Sequence, residues 1–188
     1  MTRHLAGLGV ACEFSREPGG TNIGERVRAI LLDPECRLMD ARTELFLYLA
    51  SRNQHVREKV LPRLREGVSV VLDRFAESSV AYQGYGRGLG ERTVARLNKM
   101  ATAALRPDLT LLVDVPVEVG MARKADASLD RLERERVEFH ERVRTGYLKI
   151  ARRAPRRVRI LDGTRPADEL ASEISRLAVG LLKRKGML

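Results

Sequence analysis

A five-residue run, Val68 to Leu72, restricts what this chain can fold into more than any other stretch. Its residues, Val-Ser-Val-Val-Leu, are mostly apolar and β-branched with no clean alternation. Such a run reads as a strand buried on both faces of a parallel sheet. Asp73 and Arg74 stand where the strand ends. In open α/β sheets ligands bind outside the carboxyl ends of the strands, so an acid and a guanidinium there suit chemistry on an anion. Asp73 can hold a metal ion or take a proton, and Arg74 can clamp a phosphate through its planar fork. A surface ion pair capping the strand is the competing reading. Beyond it, Ser78, Ser79, Tyr82 and Gln83 offer hydroxyls, an aromatic ring and an amide. Four glycines, 84, 86, 88 and 90, allow close approach of backbone to a ligand.

Strands and helices alternate along the rest of the chain. Residues 9–14, 109–115 and 158–161 read as further strands. Helical spacing begins near Asn22, with Glu25 completing a capping box. It returns over 40–66, 91–104, 139–150 and 170–181. Leu45 to Ala50 are apolar almost all round, so that helix must be buried on more than one side. Pro62 is expected to kink or restart it, and Pro116 to open another helix. The fold class is therefore α/β with a parallel sheet, in one domain spanning 1–188.

The chain carries 35 Lys and Arg against 25 Asp and Glu, a formal charge of +10, which favours anionic partners. The basic residues are scattered apart from Arg152, Arg153, Arg156, Arg157 and Arg159, which read as a solvated helix end and strand edge. With four Phe and four Tyr there is little aromatic surface for base stacking, so nucleic acid is not the expected partner. Cys12 and Cys36 match no metal or redox spacing, as in a reduced, cytoplasmic protein. No apolar stretch approaches membrane-spanning length and no signal peptide opens the chain. His4, His55 and His140 form no ligand pattern.

Several motifs in order carry a family resemblance: Arg16-Glu-Pro-Gly-Gly-Thr21, Thr43-Glu-Leu-Phe-Leu-Tyr-Leu-Ala-Ser-Arg52, the Asp73-Arg74 segment, Arg106-Pro-Asp-Leu-Thr110 and Asp130-Arg-Leu-Glu133. Over essentially its whole length the chain resembles the bacterial thymidylate kinases. The resemblance implies a three-layer parallel sheet with helices on both faces, of the P-loop nucleoside-monophosphate-kinase kind. It also implies phosphoryl transfer from ATP to dTMP with Mg²⁺, and a homodimer. By resemblance, the loop holding Glu17 lies near the acceptor phosphate and Arg74 binds that phosphate. Asp73 organises Mg²⁺, directly or through water. Tyr48 and Arg52, which by pattern alone read as a core residue and a surface charge, hold the thymine. Ser79 and Gln83 lie near it, Tyr82 crowds the sugar, and the turn 162–164 lies near adenine. Residues 123–136 read by pattern as an exposed helix of alternating charge. The resemblance makes them a lid that brings Arg123 and Arg131 to the transferring phosphoryl group.

One part is absent. The sequence contains no Gly-Lys pair, hence no phosphate loop of the form Gly-x-x-x-x-Gly-Lys-[Ser/Thr]. In the family that loop follows the first, central strand, which the chain lacks as well. The expectation is that the true start lies upstream of Met1. As written, the chain is expected to be a truncated, inactive form with a hydrophobic slot in its sheet. The alternative is a non-catalytic homologue that binds dTMP or a partner.

Overall fold

The computed structural model describes residues 2–123 and 129–188. Residues 124–128 of the expected lid lie outside the described residues. Helix α1 (Thr2–Gly7) leads to strand β1 (Cys12–Arg16), then α2 (Asn22–Leu32) and α3 (Ala41–His55). A π-helical stretch, Val56–Val60, and α4 (Leu61–Arg65) follow, ahead of β2 (Ser69–Asp73) and α5 (Ala76–Ser79). A second π-helical stretch, Val80–Gly86, precedes α6 (Glu91–Ala101), β3 (Thr110–Asp114), α7 (Val117–Ala122), α8 (Val137–Arg153), β4 (Val158–Asp162) and α9 (Ala167–Arg184).

All strand pairing is parallel, as the sequence implied, and it comes in two pairs: β1 with β2, and β3 with β4. Cys12 faces Ser69 and Arg16 faces Asp73, while Thr110 faces Val158 and Asp114 faces Asp162. The registers bring the carboxyl ends of each pair level. Backbone bonds continue past them, from Glu17 N–H to Asp73 O (2.9 Å) and from Gly163 N–H to Asp114 O (2.8 Å). Among the described residues each strand has one hydrogen-bonded neighbour. That is why Ser69 to Leu72 are half-buried and not, as expected, buried on both faces.

Local chemistry explains where elements begin and end. Helix α2 starts at Asn22 as expected, but the cap is Thr21, whose Oγ1 accepts from Gly24 N–H (3.0 Å). Glu25 reaches back to Gly20 N–H (2.8 Å), so the capping box is displaced by one residue. Pro62 stands in the first turn of α4, where the α-helix restarts after the π-helical stretch, as expected. Leu61 N–H bonds Val56 O, five residues back, and Pro62 follows in the first turn of the new helix, where its missing N–H costs least. Helix α6 stops at Ala101, three residues before the expected end, because Ala103 and Ala104 take positive φ of 51° and 61°.

The stretch after Arg74 departs furthest from the sequence reading. Residues 76–86 are helical, and two of their glycines are closely packed against neighbouring helices. A Cβ on Gly84 would meet Glu91 Cα at 3.4 Å, and one on Gly86 would meet the Phe139 and Val143 side chains at 2.8 Å. This helix therefore lies directly against α6 and α8. Core clusters form around Leu45, Leu49, Val80 and Val94, around Ala81, Leu132, Phe139 and Val143, and around Leu5, Val10, Ala178 and Leu182.

The same close packing governs Gly146 of α8, where a Cβ would lie 2.7 Å from Tyr85 Cδ2 and 3.0 Å from its Cβ. Overpacking costs roughly 1–3 kcal/mol and outweighs the ~1 kcal/mol that alanine gains over glycine in a helix. Gly146→Ala is expected to lower unfolding free energy by about 1 kcal/mol, read from the urea midpoint; a raised midpoint would show that the Tyr85 ring moves aside freely.

Candidate active site

The carboxyl ends of β1 and β2 are joined by a buried guanidinium. Arg52 on α3 is 1% exposed. Its Nε donates to Glu17 Oε2 (2.6 Å), Nη1 to Ser79 Oγ (2.7 Å) and Asn98 Oδ1 (2.6 Å), and Nη2 to the Phe75 carbonyl (3.0 Å). Four of its five N–H groups are used by four segments of the chain. Glu17 is itself buried, and its second oxygen faces His55 Nδ1 at 3.0 Å. The His55 Nε2 lies 2.8 Å from Ser15 Oγ.

The loop that follows Glu17 is fixed by α3 and α2. Gly19 N–H donates to Ser51 Oγ (3.2 Å) and Arg28 donates to the Pro18 carbonyl (3.0 Å). Gly20 has φ 79°, and a Cβ there would strike the His55 ring at 2.7 Å. Only glycine fits, for both reasons.

Arg74 stands just past β2 with φ 67°, a left-handed conformation that costs a non-glycine residue roughly 1–2 kcal/mol. That turn lays its guanidinium over the Tyr82 ring, 5.1 Å from the centroid. Its N–H groups approach the Tyr82 and Tyr147 hydroxyls at 3.4 Å. Tyr147 donates to Ser78 Oγ (2.8 Å), and burial pushes its pKa up to about 12 despite the nearby Arg74 charge. The Asp73 carboxylate beside it is exposed and accepts no hydrogen bond among the described residues.

Deeper, Glu44 is fully buried and collects Gln83 (Nε2 to Oε1, 2.9 Å), Arg87 (2.9 Å) and Arg131 (2.7 Å). Burial works to raise its pKa, but the bonds from Arg87, Gln83 and Arg131 prevail and hold it below the usual carboxylate range. Arg131 also donates to Leu31 O (2.9 Å). Gln83 Oε1 is buried with no partner among the described residues. Tyr48, one turn along α3, packs among Leu132, Phe139 and Tyr82.

The structure thus brings Glu17, Arg52 and Ser79 into direct contact, sets Arg74 on Tyr82, and joins Gln83 to Arg131 through Glu44. Arg123 stands apart from these. Its Nη1 donates to Gly163 O (3.0 Å), beside the turn where Asp162 Oδ1 accepts from Thr164. Sequence reasoning missed Glu44, His55, Asn98 and Tyr147. Positions 44, 48, 52 and 55 recur at helical spacing, a polar stripe that passes through the apolar run Leu45 to Ala50 and could have been read as a site.

Parallel strands whose carboxyl ends gather an Asp-Arg pair, a glycine loop and a buried guanidinium define a nucleoside-monophosphate-kinase-like protein. The family model for thymidylate kinase matches residues 1–174. Thymidylate kinase of Symbiobacterium thermophilum is 43% identical over 98% of this chain and 86% of its own length. That of Desulfosudis oleivorans is 47% identical over 88% and 81%, and that of Latilactobacillus sakei 47% over 85% and 76%. The chain belongs to the thymidylate kinase family.

Replacing Glu44 would leave Arg87 and Arg131 without their shared counter-charge, so Glu44→Gln is expected to cost about 3 kcal/mol. Because the folded carboxyl is held low, its stabilising contribution is complete above about pH 4.3 and is lost as pH falls through the lowered folded value. Urea denaturation across pH should show a flatter acid limb in the variant; parallel limbs would remove Glu44 from the account.

Proposed function

We propose that this chain transfers the γ-phosphoryl group of ATP to dTMP, giving dTDP and ADP in the supply of dTTP. The observation that carries this is Arg74, turned at strain past the end of β2 and flanked by two tyrosine hydroxyls, where a monophosphate can be held. A phosphate oxygen of dTMP attacks the γ-phosphorus, and the bond from that phosphorus to the bridging oxygen of ADP breaks. The protein's work is positioning and charge neutralisation.

In this reading Arg74 clamps the acceptor phosphate and Tyr82 closes on the sugar. Tyr48 and Arg52 hold the thymine ring, with Ser79 beside Arg52. Gln83 presents its unpartnered buried oxygen toward the base. Glu17 orients Arg52. The lid segment 123–136 supplies Arg123 to the transferring group, and Arg131 anchors the lid through Glu44.

No three His, Cys, Asp or Glu side chains converge into an all-protein metal cage among the described residues. A single free carboxylate, Asp73, fits Mg²⁺, which keeps several waters and is held with nucleotide phosphates. When bound, Mg²⁺ offsets charge on those phosphates. The described residues furnish the acceptor half of the reaction more fully than the donor half, since the sequence has no Gly-Lys pair. A non-catalytic dTMP-binding role is less well supported, because the family match spans acceptor and lid segments alike.

The reading includes a homodimer. Phe46 of α3 is 58% exposed, and Ile23 and Ile30 of the adjoining α2 are about half exposed, apolar area that a second copy would cover. Among the described residues no helix is long and apolar enough to cross a membrane, and both cysteines are free, in keeping with a cytoplasmic setting.

Separate calorimetric titrations with dTMP and with Mg·ATP test this. Binding of both supports the kinase, whereas binding of dTMP alone supports the non-catalytic role. Arg74→Ala is expected to weaken dTMP at least about tenfold, the loss of charge-assisted hydrogen bonds to a phosphate, with Mg·ATP affinity changed far less. Unchanged dTMP affinity would remove Arg74 from the site.

A further inference from the structure

Glu17 and Arg52 neutralise each other, yet a third group, His55, is buried against them and has no part in the chemistry above. Its ring is fully enclosed, with Nδ1 on Glu17 Oε1 at 3.0 Å and Nε2 on Ser15 Oγ at 2.8 Å. A carboxylate offers only lone pairs, so Nδ1 carries a proton in this contact. The two oxygens of Glu17 are therefore each assigned: Oε1 to His55 and Oε2 to Arg52 Nε. A carboxylate held at one oxygen can swing about its last torsion, which is broad, but one held at both cannot.

We infer that His55 is a positioning residue for recognition of the nucleobase. It locks Glu17, Glu17 sets the plane of Arg52, and the plane of Arg52 decides where its one uncommitted N–H points. Four of the five donors are taken by Glu17, Ser79, Asn98 and Phe75. The remaining hydrogen on Nη2 can meet only an acceptor. A ring carbonyl satisfies it, and an amino group at the same place leaves two donors facing each other. The same imidazole supports the acceptor loop, because Gly20 rests on it closely enough that a Cβ would clash. One side chain thus fixes both the base-reading guanidinium and the loop beside it. Ser15 at the end of β1 fixes the ring in turn, so the register runs from strand to loop to helix.

The inference rests on the proposed dTMP site and separates from it experimentally. Calorimetry of the whole chain gives Kd for dTMP, which carries a ring carbonyl at position 4, and for dCMP, which carries an amino group there. His55→Phe keeps ring bulk and removes both hydrogen bonds. Its dTMP affinity is expected to fall about tenfold, the scale of one charge-assisted hydrogen bond. Affinity for dCMP should fall less, so that the preference for dTMP narrows. His55→Asn, whose amide nitrogen can replace Nδ1 as donor to Glu17, is expected to recover most of the preference. A purely structural role would lower thermal stability in both variants and leave the dTMP-to-dCMP ratio where it was, which would overturn the inference. If His55→Phe does not fold, Ser15→Ala decides: a reduced ratio supports the assignment and the wild-type ratio overturns it. A wild-type chain that binds neither nucleotide would overturn the site reading, and this inference with it; wild-type binding with no change in any variant's ratio would overturn the inference alone.

Discussion

A guanidinium taken out of water must be surrounded by acceptors, and Arg52 imposes that requirement on the rest of the molecule. Removing a charge from water costs several kcal/mol even after relaxation, unless counter-charge and hydrogen bonds replace the lost hydration. Here the replacements come from the loop after β1, the turn after β2, helix α5 and helix α6. Phe75 and Ser79 lie one helical turn apart, but Glu17 and Asn98 are far from them and from each other in sequence. Satisfying one side chain therefore fixes four parts of the chain to one another, and the geometry at the strand ends follows.

Helix α8 performs the equivalent task between the two strand pairs. Its Arg144 makes a bidentate bond with Asp114 at the end of β3, both contacts at 2.9 Å. One turn nearer its carboxyl end, Tyr147 bonds Ser78 and approaches Arg74 beyond β2. Among the described residues the pairs share no backbone ladder, so side chains on a common helix carry the alignment of their carboxyl ends. Glu44 adds a third tie, joining α3 to Arg87 and to Arg131. The three ties differ in chemistry but obey one rule: a buried charge is placed where several elements can answer it.

Much of this was legible in the chain. The β-branched run before Asp73, the turn residues and the helical spacing locate every strand to within a few residues, because strand and helix patterns are local. Of the residues named for the site, Glu17 and Ser79 both bond Arg52, Arg74 lies on Tyr82, Gln83 bonds Glu44, and Arg123 stands apart. The helix over 76–86 escaped notice because its glycines look like a ligand loop in sequence, and only their contacts with Glu91, Phe139 and Val143 show them to be packing positions. His55 carried only the weak signal of the helical stripe it shares with Glu44, Tyr48 and Arg52, and its role shows only when a carboxylate from 38 residues away is set beside it.

By itself the sequence determined the strands, most of the helices and their order, the parallel class of the sheet and the chemical inventory at the strand ends, but not the helix over 76–86. Hydrophobic period, cap residues and turn residues act over a handful of positions, so they can be read one stretch at a time. Tertiary structure alone decided which donor meets which acceptor: that Glu17 is shared between Arg52 and His55, that Arg131 is drawn into a cluster with Glu44, and that Arg123 joins the opposite strand pair. Those pairings span tens of residues, and the free energy of desolvating each group is settled only when all of its partners arrive together.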